Sequence, residues 1–403
     1  MGKLVMVGLS HHAAPTEIRE RVALEQDAWR ATAPADLGTI LLSTCNRVEV
    51  YAWIEDRPST AARVLARSLA AAAGIDLREL RPYLCVRTGR EALVHLVRVT
   101  SGLDSLVVGE EQIRGQVREA LRAANASGLL RGIFERVGEA ARRIRGNTSL
   151  AAAPSIASAG VSVALRHVQG DCRRAVVLGA GVMARAATEA LLARGVSVTV
   201  LNRTPAHAQR VFGHLPTVSI RPLSELASAL ETADVLVGAT ASRNHVVLPT
   251  HLPNRPLVIL DIAMPRDVDP KVRDLPHVTL IDLDDLERMC PVDASTRNAE
   301  QQHAEALAIE EADRLLDWLR FRAAGPAIAE LRTYAETVRK RELQRSAARL
   351  RDLTPEQLAA VDALTSGIVN KLMHGPTIAM RDAGAKSSSR ILRLVRPPRG
   401  RAV

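Results

Sequence analysis

Aromatic residues are scarce in this chain: Phe, Trp and Tyr together make up 2% of its 403 residues. Proteins that read single-stranded nucleic acid stack the bases on aromatic rings, so the composition argues against such a platform. Any contact with RNA should depend on shape and on phosphate charge. We expect no DNA partner.

Long apolar runs are also missing. No segment approaches the roughly 18 uninterrupted apolar residues of a membrane span. The first eight residues turn polar too soon for a secretory signal. We therefore expect a cytoplasmic protein that does not cross a membrane.

Paired cysteines are absent as well. Cys45, Cys85, Cys172 and Cys290 are widely separated and show no C-x-x-C spacing. A disulfide framework or a structural zinc site is therefore not predicted.

Positive charge is concentrated at one end of the chain, whose formal net charge is +10 at pH 7. From residue 386 to the end there is no acid but six cations: Lys386, Arg390, Arg393, Arg396, Arg399 and Arg401. Subtracting these six from +10 leaves about +4 for the rest of the chain. The sequence leaves open whether this basic tail contacts RNA phosphates or is a solvated end.

The chain is too long for a single core, and its apolar pattern predicts a multidomain α/β protein with three domains. Residues 1–150 should form an α+β catalytic domain. Its strands are predicted at Leu4–Leu9, Thr39–Ser43 and Val48–Trp53, and its helices near 17–25, 59–73, 89–102, 110–127 and 129–146.

Residues 151–290 should form a nucleotide-binding domain. The segment 151–165, rich in Ala, Ser and Gly, is either a linker or a helix with a face of small residues. Strands and helices then alternate, which predicts a Rossmann-type parallel sheet covered on both faces. The strands are predicted at 175–178, 196–201, 235–238, 257–261 and 278–281.

Residues 291–403 should be helical. The stretch 292–324 has neither Gly nor Pro, and its helix would be a strut of roughly 45 Å. A second helix is expected after Gly325-Pro326. A third should begin at Thr354-Pro355-Glu356-Gln357, which offers an N-cap, a proline at N1 and a capping box. Apolar residues recur along it at helical spacing and favour dimerisation: Leu358, Val361, Leu364, Ile368 and Leu372.

A dinucleotide-binding signature opens the predicted parallel sheet. A strand and a helix are joined by Gly179, Ala180, Gly181, Val182, Met183 and Ala184. Glycines here allow a tight turn and the approach of a pyrophosphate to the helix N-terminus. The next strand ends at Asn202-Arg203-Thr204, without the acid that holds the ribose of NAD, and Arg203 would attract a 2′-phosphate. We predict NADP; the alternative is that Arg203 is only a surface cation.

Cys45 follows a short strand within Ser43-Thr44-Cys45-Asn46-Arg47. A thiol at an exposed strand end beside a guanidinium should have a lowered pKa. Because about 3% of a thiol with a pKa of ~8.5 is ionised at neutral pH, full ionisation would add at most about 30-fold in rate. Cys45 is a candidate nucleophile, and an ordinary turn with a buried cysteine is the alternative.

A polar block follows His95. Glu110-Glu111 suits a helix N-terminus, or these carboxylates and the neighbouring Gln side chains could bind an ammonium group or ribose hydroxyls. Spacing does not choose between the two. His95 itself, on an apolar helix face, is typical of a core histidine.

Two further clusters are interpreted without a metal. His11-His12 has no companion ligand at metal-site spacing, and Asp282-x-Asp284-Asp285 should cap the helix after the last strand. The sequence therefore predicts no metal site.

Together these motifs resemble the glutamyl-tRNA reductase family over nearly the whole chain. Five blocks carry the resemblance: residues 8–15 (GLSHHAAP), 43–47 (STCNR), 101–116, 179–184 (GAGVMA) and 265–270 (PRDVDP). It implies that Cys45 is the nucleophile and that His95 takes part in catalysis. The implied substrate-binding residues are Thr44, Asn46, Arg47, Ser105, Glu110, Glu111, Gln112 and Gln116. The family's NADPH loop falls on 179–184, with Ala184 where Gly is more usual.

The resemblance also implies a reaction. Cys45 would attack glutamyl-tRNA(Glu) to give a thioester and free tRNA, and NADPH would reduce the thioester to glutamate-1-semialdehyde, the first step of tetrapyrrole biosynthesis. Arg47 would bind a substrate carboxylate or steady the thiolate, and His95 would transfer protons. Motion between the domains is expected between the two steps.

The assembly implied by the resemblance is a V-shaped homodimer. Its catalytic, NADPH-binding and dimerisation domains would be arranged along a long spinal helix. A handover of product to glutamate-1-semialdehyde aminomutase is suggested by the family alone.

Two other functions are kept as alternatives. The chain could be a non-catalytic tRNA- or nucleotide-binding regulator that retains a Rossmann domain, or an NADP dehydrogenase for a free small molecule. Whether NADPH oxidation requires charged tRNA distinguishes these alternatives from the reductase.

Overall fold

The computed structural model describes residues 2–124, 126, 128–148, 155–289 and 296–395, and only the backbone of 296–298 and 381–395. Cys290, residues 151–154 of the linker segment and the last residues of the basic tail lie outside this description. The chain divides into two compact units, Lys3–Glu311 and the residues from Ala312 onward.

In the residues that the structure describes, the first unit contains ten strands and the second is helical. The strands are β1 Lys3–Ser10, β2 Thr39–Ser43, β3 Arg47–Ile54, β4 Cys85–Thr88, β5 Arg174–Leu178, β6 Ser197–Asn202, β7 Val218–Pro222, β8 Val235–Gly238, β9 Leu257–Asp261 and β10 Val278–Ile281. The helices up to the start of the parallel sheet are α1 Thr16–Val22, α2 Gln26–Thr32, α3 Pro58–Ala73, α4 Leu77–Leu80, α5 Arg90–Ser101, α6 Gln112–Ala123, α7 Gly128–Gly146 and α8 Ile156–His167. The later helices are α9 Val182–Leu192, α10 Pro205–Phe212, α11 Leu226–Leu230, α12 Leu283–Met289, α13 Thr296–Arg345, α14 Ala347–Leu350 and α15 Pro355–Val395.

The N-terminal sheet is antiparallel, with strand order β2-β3-β1-β4. Side chains alternate across β3, so Val48 and Val50 enter an apolar core with α1 to α4. Arg47, Glu49 and Tyr51 lie on the opposite face, which α5 and α7 cover. The sheet therefore has one apolar face and one face on which three polar side chains are buried.

The second sheet is parallel, with order β10-β9-β8-β5-β6-β7. Apolar cores cover both of its faces. This is the doubly wound arrangement that binds a dinucleotide where the strand order reverses, between β5 and β8. The predicted fold class is confirmed: an α+β domain, a Rossmann-type sheet, a long helix and a helical C-terminal region. The small-residue segment forms a helix, α8, from Ile156.

The expected break at Gly325-Pro326 is wrong. Helix α13 runs without interruption through 50 residues and contains Pro326. Proline removes one backbone hydrogen bond at a cost of about 3 kcal/mol, but long helical runs on both sides outweigh this local loss. The predicted cap of α15 is confirmed, because Gln357 N donates to Thr354 Oγ1 at 3.3 Å and Thr354 N donates to Gln357 Oε1 at 2.9 Å.

Among the described residues, no helix combines the length and the apolar character needed to cross a membrane.

Candidate active site

The turn that carries Cys45 joins β2 to β3. Thr44 Oγ1 accepts hydrogen bonds from the backbone N–H groups of Asn46 (3.2 Å) and Arg47 (3.3 Å), which closes the turn. Arg19 of α1 is 2% exposed, and its Nη1 donates to the Cys45 carbonyl at 2.7 Å. The backbone beside the thiol is therefore held both from within the turn and by α1.

Five buried side chains behind this turn form what we term the Arg47 network. The Arg47 guanidinium donates from Nη1 to Glu49 Oε1 at 3.0 Å and to Asp104 Oδ2 at 2.9 Å, and from Nη2 to the Asp104 carbonyl. The other oxygen of Glu49 accepts from the Tyr51 hydroxyl at 2.6 Å. His95 Nε2 lies 2.8 Å from Glu49 Oε1. The network ties β3, α5 and the loop after α5 to one guanidinium.

The electrostatics of the network keep its carboxylates ionised. Burial alone would raise the pKa of Glu49, but Arg47 and His95 outweigh it and lower that pKa to about 2. Burial likewise opposes ionisation of Asp104, whose pKa is nevertheless lowered by His12 and Arg47. The predicted contact of Arg47 with a substrate carboxylate would have to compete with these two internal partners.

The thiol itself is not pre-ionised. Burial is the largest cause that raises the pKa of Cys45 to about 12, and the charge of Glu110 adds to it, while Arg19 and Arg47 lower it too weakly to compensate. The expectation of a lowered thiol pKa is therefore wrong. Burial also raises the pKa of Glu110, to about 7, so this carboxyl can exist in both protonation states near neutral pH.

A cavity of about 650 Å³ opens at the thiol. From the antiparallel-sheet part it is lined by Thr44, Cys45, Gln112 and Gln116, and from the parallel-sheet part by Met183, Ala239, Thr240 and the segment 262–265. Two sequence-predicted substrate residues, Gln112 and Gln116, lie on α6 and face this space. The cavity therefore brings the thiol to the carboxyl edge of the parallel sheet.

A second cavity, of about 520 Å³, follows the nucleotide loop, with residues 179–183, Asn202 and Arg203 in its wall. Gly179 has φ +100°, and a Cβ there would stand 2.6 Å from the Ala239 carbonyl oxygen, so only glycine fits. A Cβ on Gly181 would meet no atom within 4 Å, which leaves room for a pyrophosphate at the start of α9. These residues fit a nicotinamide dinucleotide.

The remaining predicted cofactor residues have different surroundings. Ala184 lies in the first turn of α9 and is fully buried in the core. Val182 is 64% exposed at the start of that helix. Thr204 is the N-cap of α10, and its carbonyl accepts from Asn202 Nδ2 at 3.0 Å.

The two cavities adjoin, because Gln112, Gln116, Met183, Ala239 and Thr240 line both. The thiol and the nucleotide loop, 134 positions apart from Cys45 to Gly179 in the sequence, therefore border one continuous cleft. The expected motion between catalytic steps stays a prediction.

Other sequence-predicted residues do not line the thiol cavity. Asn46, Ser105 and Glu110 are buried, and His95 lies in the Arg47 network. Glu111 is the N-cap of α6 and faces a different cavity, together with Arg114, with which it pairs at 2.9 Å.

Three contributors were missed from the sequence. Arg19 and Glu49 are buried charges that pattern reasoning assigned to a helix and a strand without a role. The sequence signal for such residues is a charged side chain at a position where the predicted helix or strand faces the core. A charge buried there requires a partner of opposite charge. Asp104 belongs to the polar block after His95 and was given no role of its own. The partners of all three residues are evident only from the three-dimensional structure.

Comparison with known proteins gives a consistent match along the chain. The family model "Glutamyl-tRNAGlu reductase, N-terminal domain" matches residues 7–148. "Shikimate / quinate 5-dehydrogenase" matches 162–289, and "Glutamyl-tRNAGlu reductase, dimerisation domain" matches 303–397.

Full-length relatives carry the same name. The glutamyl-tRNA reductase of Herpetosiphon aurantiacus is 39% identical over 95% of this chain and 95% of its own length. That of Syntrophotalea carbinolica is 36% identical over 94% of this chain and 90% of its own length. Among solved structures, the glutamyl-tRNA reductase from Methanopyrus kandleri is 31% identical, with a TM-score of 0.47, covering 98% of this chain and 99% of that chain.

Breaking the Arg47 network should destabilise the fold in a pH-dependent way. Glu49→Gln leaves a buried guanidinium with one partner fewer, which typically costs about 3–5 kcal/mol. The Glu49 pKa of about 2 lies below its ordinary value of 4.5. Its stabilisation is therefore complete above about pH 4.5 and is lost as the pH falls toward 2.

Urea unfolding between pH 7 and pH 3 measures this effect. Glu49→Gln should lower the unfolding midpoint at pH 7 and flatten its decline below pH 4.5. Glu135→Gln, which removes an exposed ion pair with Arg131, is the matched control and should change little. Equal effects of the two substitutions would contradict the role given to the network.

Proposed function

Since this chain belongs to the glutamyl-tRNA reductase family, we propose that it reduces the glutamyl group of glutamyl-tRNA(Glu) with NADPH. The product is glutamate-1-semialdehyde, and tRNA is released, in the first step of tetrapyrrole biosynthesis. The chain is an oxidoreductase with a nucleotide-binding domain suited to a nicotinamide cofactor. The observation that carries the proposal is the continuous cleft bordered by Cys45 and the nucleotide loop.

The first step is acyl capture. Cys45 Sγ attacks the ester carbonyl, the bond from that carbon to the tRNA 3′-oxygen breaks, and the oxygen leaves as a hydroxyl with a proton. The product is a thioester on Cys45. A thioester carbonyl accepts hydride, whereas a free carboxylate, being resonance-stabilised and negative, does not.

The second step is reduction. When bound, NADPH supplies the hydride to the thioester carbonyl. The carbon–sulfur bond then breaks, the aldehyde leaves, and Cys45 takes back a proton. Gln112 and Gln116 border both cavities, which supports the proposal that they hold the glutamyl group beside the nicotinamide.

A proton acceptor is needed because the pKa of Cys45 is about 12. Glu110 is buried, raises the pKa of this thiol by its charge, and has a pKa of about 7. We assign it the role of taking the thiol proton during attack. His95 stays a predicted proton-transfer residue; its contact with Glu49 also suits a positioning role.

The other implied residues divide by location. Thr44 lines the cavity and is proposed to contact the substrate. Asn46, Arg47, Ser105 and Glu111 are proposed from the resemblance to bind substrate, although none of them lines the thiol cavity in this arrangement.

Cofactor choice is assigned to Arg203. It follows β6, is exposed, and lines the cofactor cavity together with Asn202. No acid takes the position that would bind the ribose 2′-hydroxyl of NAD. A 2′-phosphate would find a cation there, which favours NADPH.

Assembly and domain bounds complete the proposal. We propose domains at 1–150, 151–290 and 291–403, a homodimer, and a handover to glutamate-1-semialdehyde aminomutase. The dimerisation-domain match supports the homodimer. So do apolar side chains of α15 that are exposed in one chain: Leu358 (42%), Leu364 (64%), Ile368 (49%) and Leu372 (64%).

The central prediction concerns Cys45→Ser. With glutamyl-tRNA but no NADPH, the wild type should accumulate a glutamyl adduct on Cys45, detectable by mass spectrometry after quenching. The variant should form neither the adduct nor the semialdehyde. Cys172→Ser, another half-buried free thiol, is the control and should keep both.

The same assay separates the alternatives. NADPH oxidation that requires glutamyl-tRNA and ignores free glutamate supports the reductase. A regulator would oxidise no NADPH, and a dehydrogenase for a free small molecule would need no tRNA. Semialdehyde formed without an adduct would refute the thioester route.

The role of Glu110 predicts a pH profile. Because its carboxylate form is the base, the rate of adduct formation should rise with pH through an apparent pKa near 7. Glu110→Gln should slow the step by about 100-fold or more and remove this titration. Glu119→Gln, an exposed carboxyl on α6, should leave the profile unchanged. Persistence of the titration in Glu110→Gln would assign it to another group.

Arg203→Ala tests cofactor choice. Loss of a charge-assisted contact to the 2′-phosphate should raise KM for NADPH about 10- to 100-fold and leave KM for NADH nearly constant. Arg210→Ala on α10, also exposed, is the matched control. A similar loss with both cofactors would rule out recognition of the phosphate by Arg203.

A further inference from the structure

Two histidines and a carboxylate converge at a place outside the cleft. His11 and His12 follow β1, and Glu287 lies on α12. His11 Nε2 stands 3.7 Å and His12 Nδ1 3.8 Å from Glu287 Oε1. One ligand atom from each of the three residues lies within 4.8 Å of the others. No companion for the histidine pair was predicted from the sequence, because Glu287 lies far along the chain, on α12.

The contacts of His11 are incomplete. The residue is 9% exposed, and its Nδ1 is buried without a hydrogen-bond partner in the described part of the chain. Its Nε2 is too far from Glu287 for a hydrogen bond. A buried imidazole normally satisfies its nitrogens, so the imidazole of His11 is under-satisfied here.

The second histidine is held by a carboxylate on its far side. His12 Nδ1 faces Glu287, and His12 Nε2 lies 3.5 Å from Asp104 Oδ1. A metal-bound histidine typically gives its other nitrogen to a carboxylate, which fixes the ring and its tautomer. The rings of His11 and His12 are also adjacent, with centroids 3.9 Å apart and planes inclined by 38°.

We propose that His11, His12 and Glu287 bind one Zn²⁺ ion. Two imidazoles and one carboxylate with an open fourth position are a zinc ligand set. Bonds of about 2.1 Å in a tetrahedron place ligand atoms roughly 3.4 Å apart. The two His–Glu287 separations therefore need to shrink by a few tenths of an ångström, and the ligand nitrogens of the two histidines, which lie within 4.8 Å of each other, need to approach by rotation of the exposed His12 side chain. The same set would accept Co²⁺ as a probe.

The ion would join two parts of the first unit. His11 and His12 belong to the antiparallel-sheet part, and Glu287 belongs to the parallel-sheet part. Asp104 behind His12 is also a partner of Arg47. A bound zinc would therefore stabilise the contact between these two parts. It would also be connected to the Arg47 network through the carboxylate of Asp104.

Zinc binding by the full-length protein tests the proposal without an activity assay. Chelator-treated protein is dialysed against Zn²⁺ and separated from free metal. The amount of zinc per chain is then measured by mass spectrometry. The affinity for zinc is measured by competition with a chromogenic chelator. The wild type should bind one equivalent. His12→Asn and Glu287→Gln should each weaken binding at least tenfold, and Asp104→Asn about tenfold.

Two controls exclude other sites. His214→Asn, at an exposed histidine outside the cluster, and Cys45→Ser should each retain one tight equivalent. His12 has a 58% exposed side chain, so its variant should match the metal-free wild type in circular dichroism and Tm. The proposal is overturned if the wild type binds no stoichiometric zinc, if both His12→Asn and Glu287→Gln bind it like the wild type, or if Cys45→Ser abolishes binding.

Discussion

The site depends on the need to neutralise one buried guanidinium. Arg47 is 1% exposed, and an unpaired charge at that depth would cost several kcal/mol. Glu49 and Asp104 supply the opposite charge, so β3, the loop after α5 and α5 itself must meet at Arg47. Because Arg47 also closes the turn that begins at Thr44, the same requirement sets the position of Cys45. Stability of the catalytic domain and placement of the thiol thus share one cause.

Burial of the thiol has a cost and a benefit for the proposed chemistry. It raises the pKa of Cys45 to about 12, which removes the thiolate that a more exposed cysteine would offer. Met183 and Met264 of the parallel-sheet part line the cavity at the thiol and would give the proposed thioester apolar neighbours. A thioester must survive until hydride arrives, so a partly buried thiol with a proton acceptor nearby suits the proposed two-step reduction better than an exposed thiolate.

Local patterns in the sequence predicted much of the fold. The bounds of β8, β9 and β10 agree with the structure, and so do two helix caps, including the reciprocal bonds between Asp282 and Asp285. Each depends on residues a few positions apart. The strand at 85–88 was missed because it is short and half-exposed, so its alternation is weak.

Long-range partners were beyond such reasoning. The pKa of Cys45 was mispredicted because burial outweighs the neighbouring guanidinium of Arg47, which is itself turned to Asp104, 57 positions further along the chain. The companion of His11 and His12 could not be predicted either, because it lies on a distant segment. Sequence motifs thus predicted which residues carry chemistry, while the charges and burial that tune them come from distant segments.

Both ion pairs and apolar contacts join the two sheet-bearing parts: Leu106 and Val107 pack, together with Cys45, against the core of the parallel-sheet part. Arg266 pairs with Glu20 at 2.8 Å and with Glu17 at 3.2 Å, and Arg19 pairs with Asp284. The side chain of Arg19 is 2% exposed, and those of Arg266 and Glu20 are 13% and 15% exposed. Removing one partner of so shielded a pair is costly because it leaves an uncompensated buried charge, whereas separating the two parts would return both partners to water. The motion expected between the two proposed steps would therefore have to break and remake these ion pairs together with the apolar contacts around Cys45.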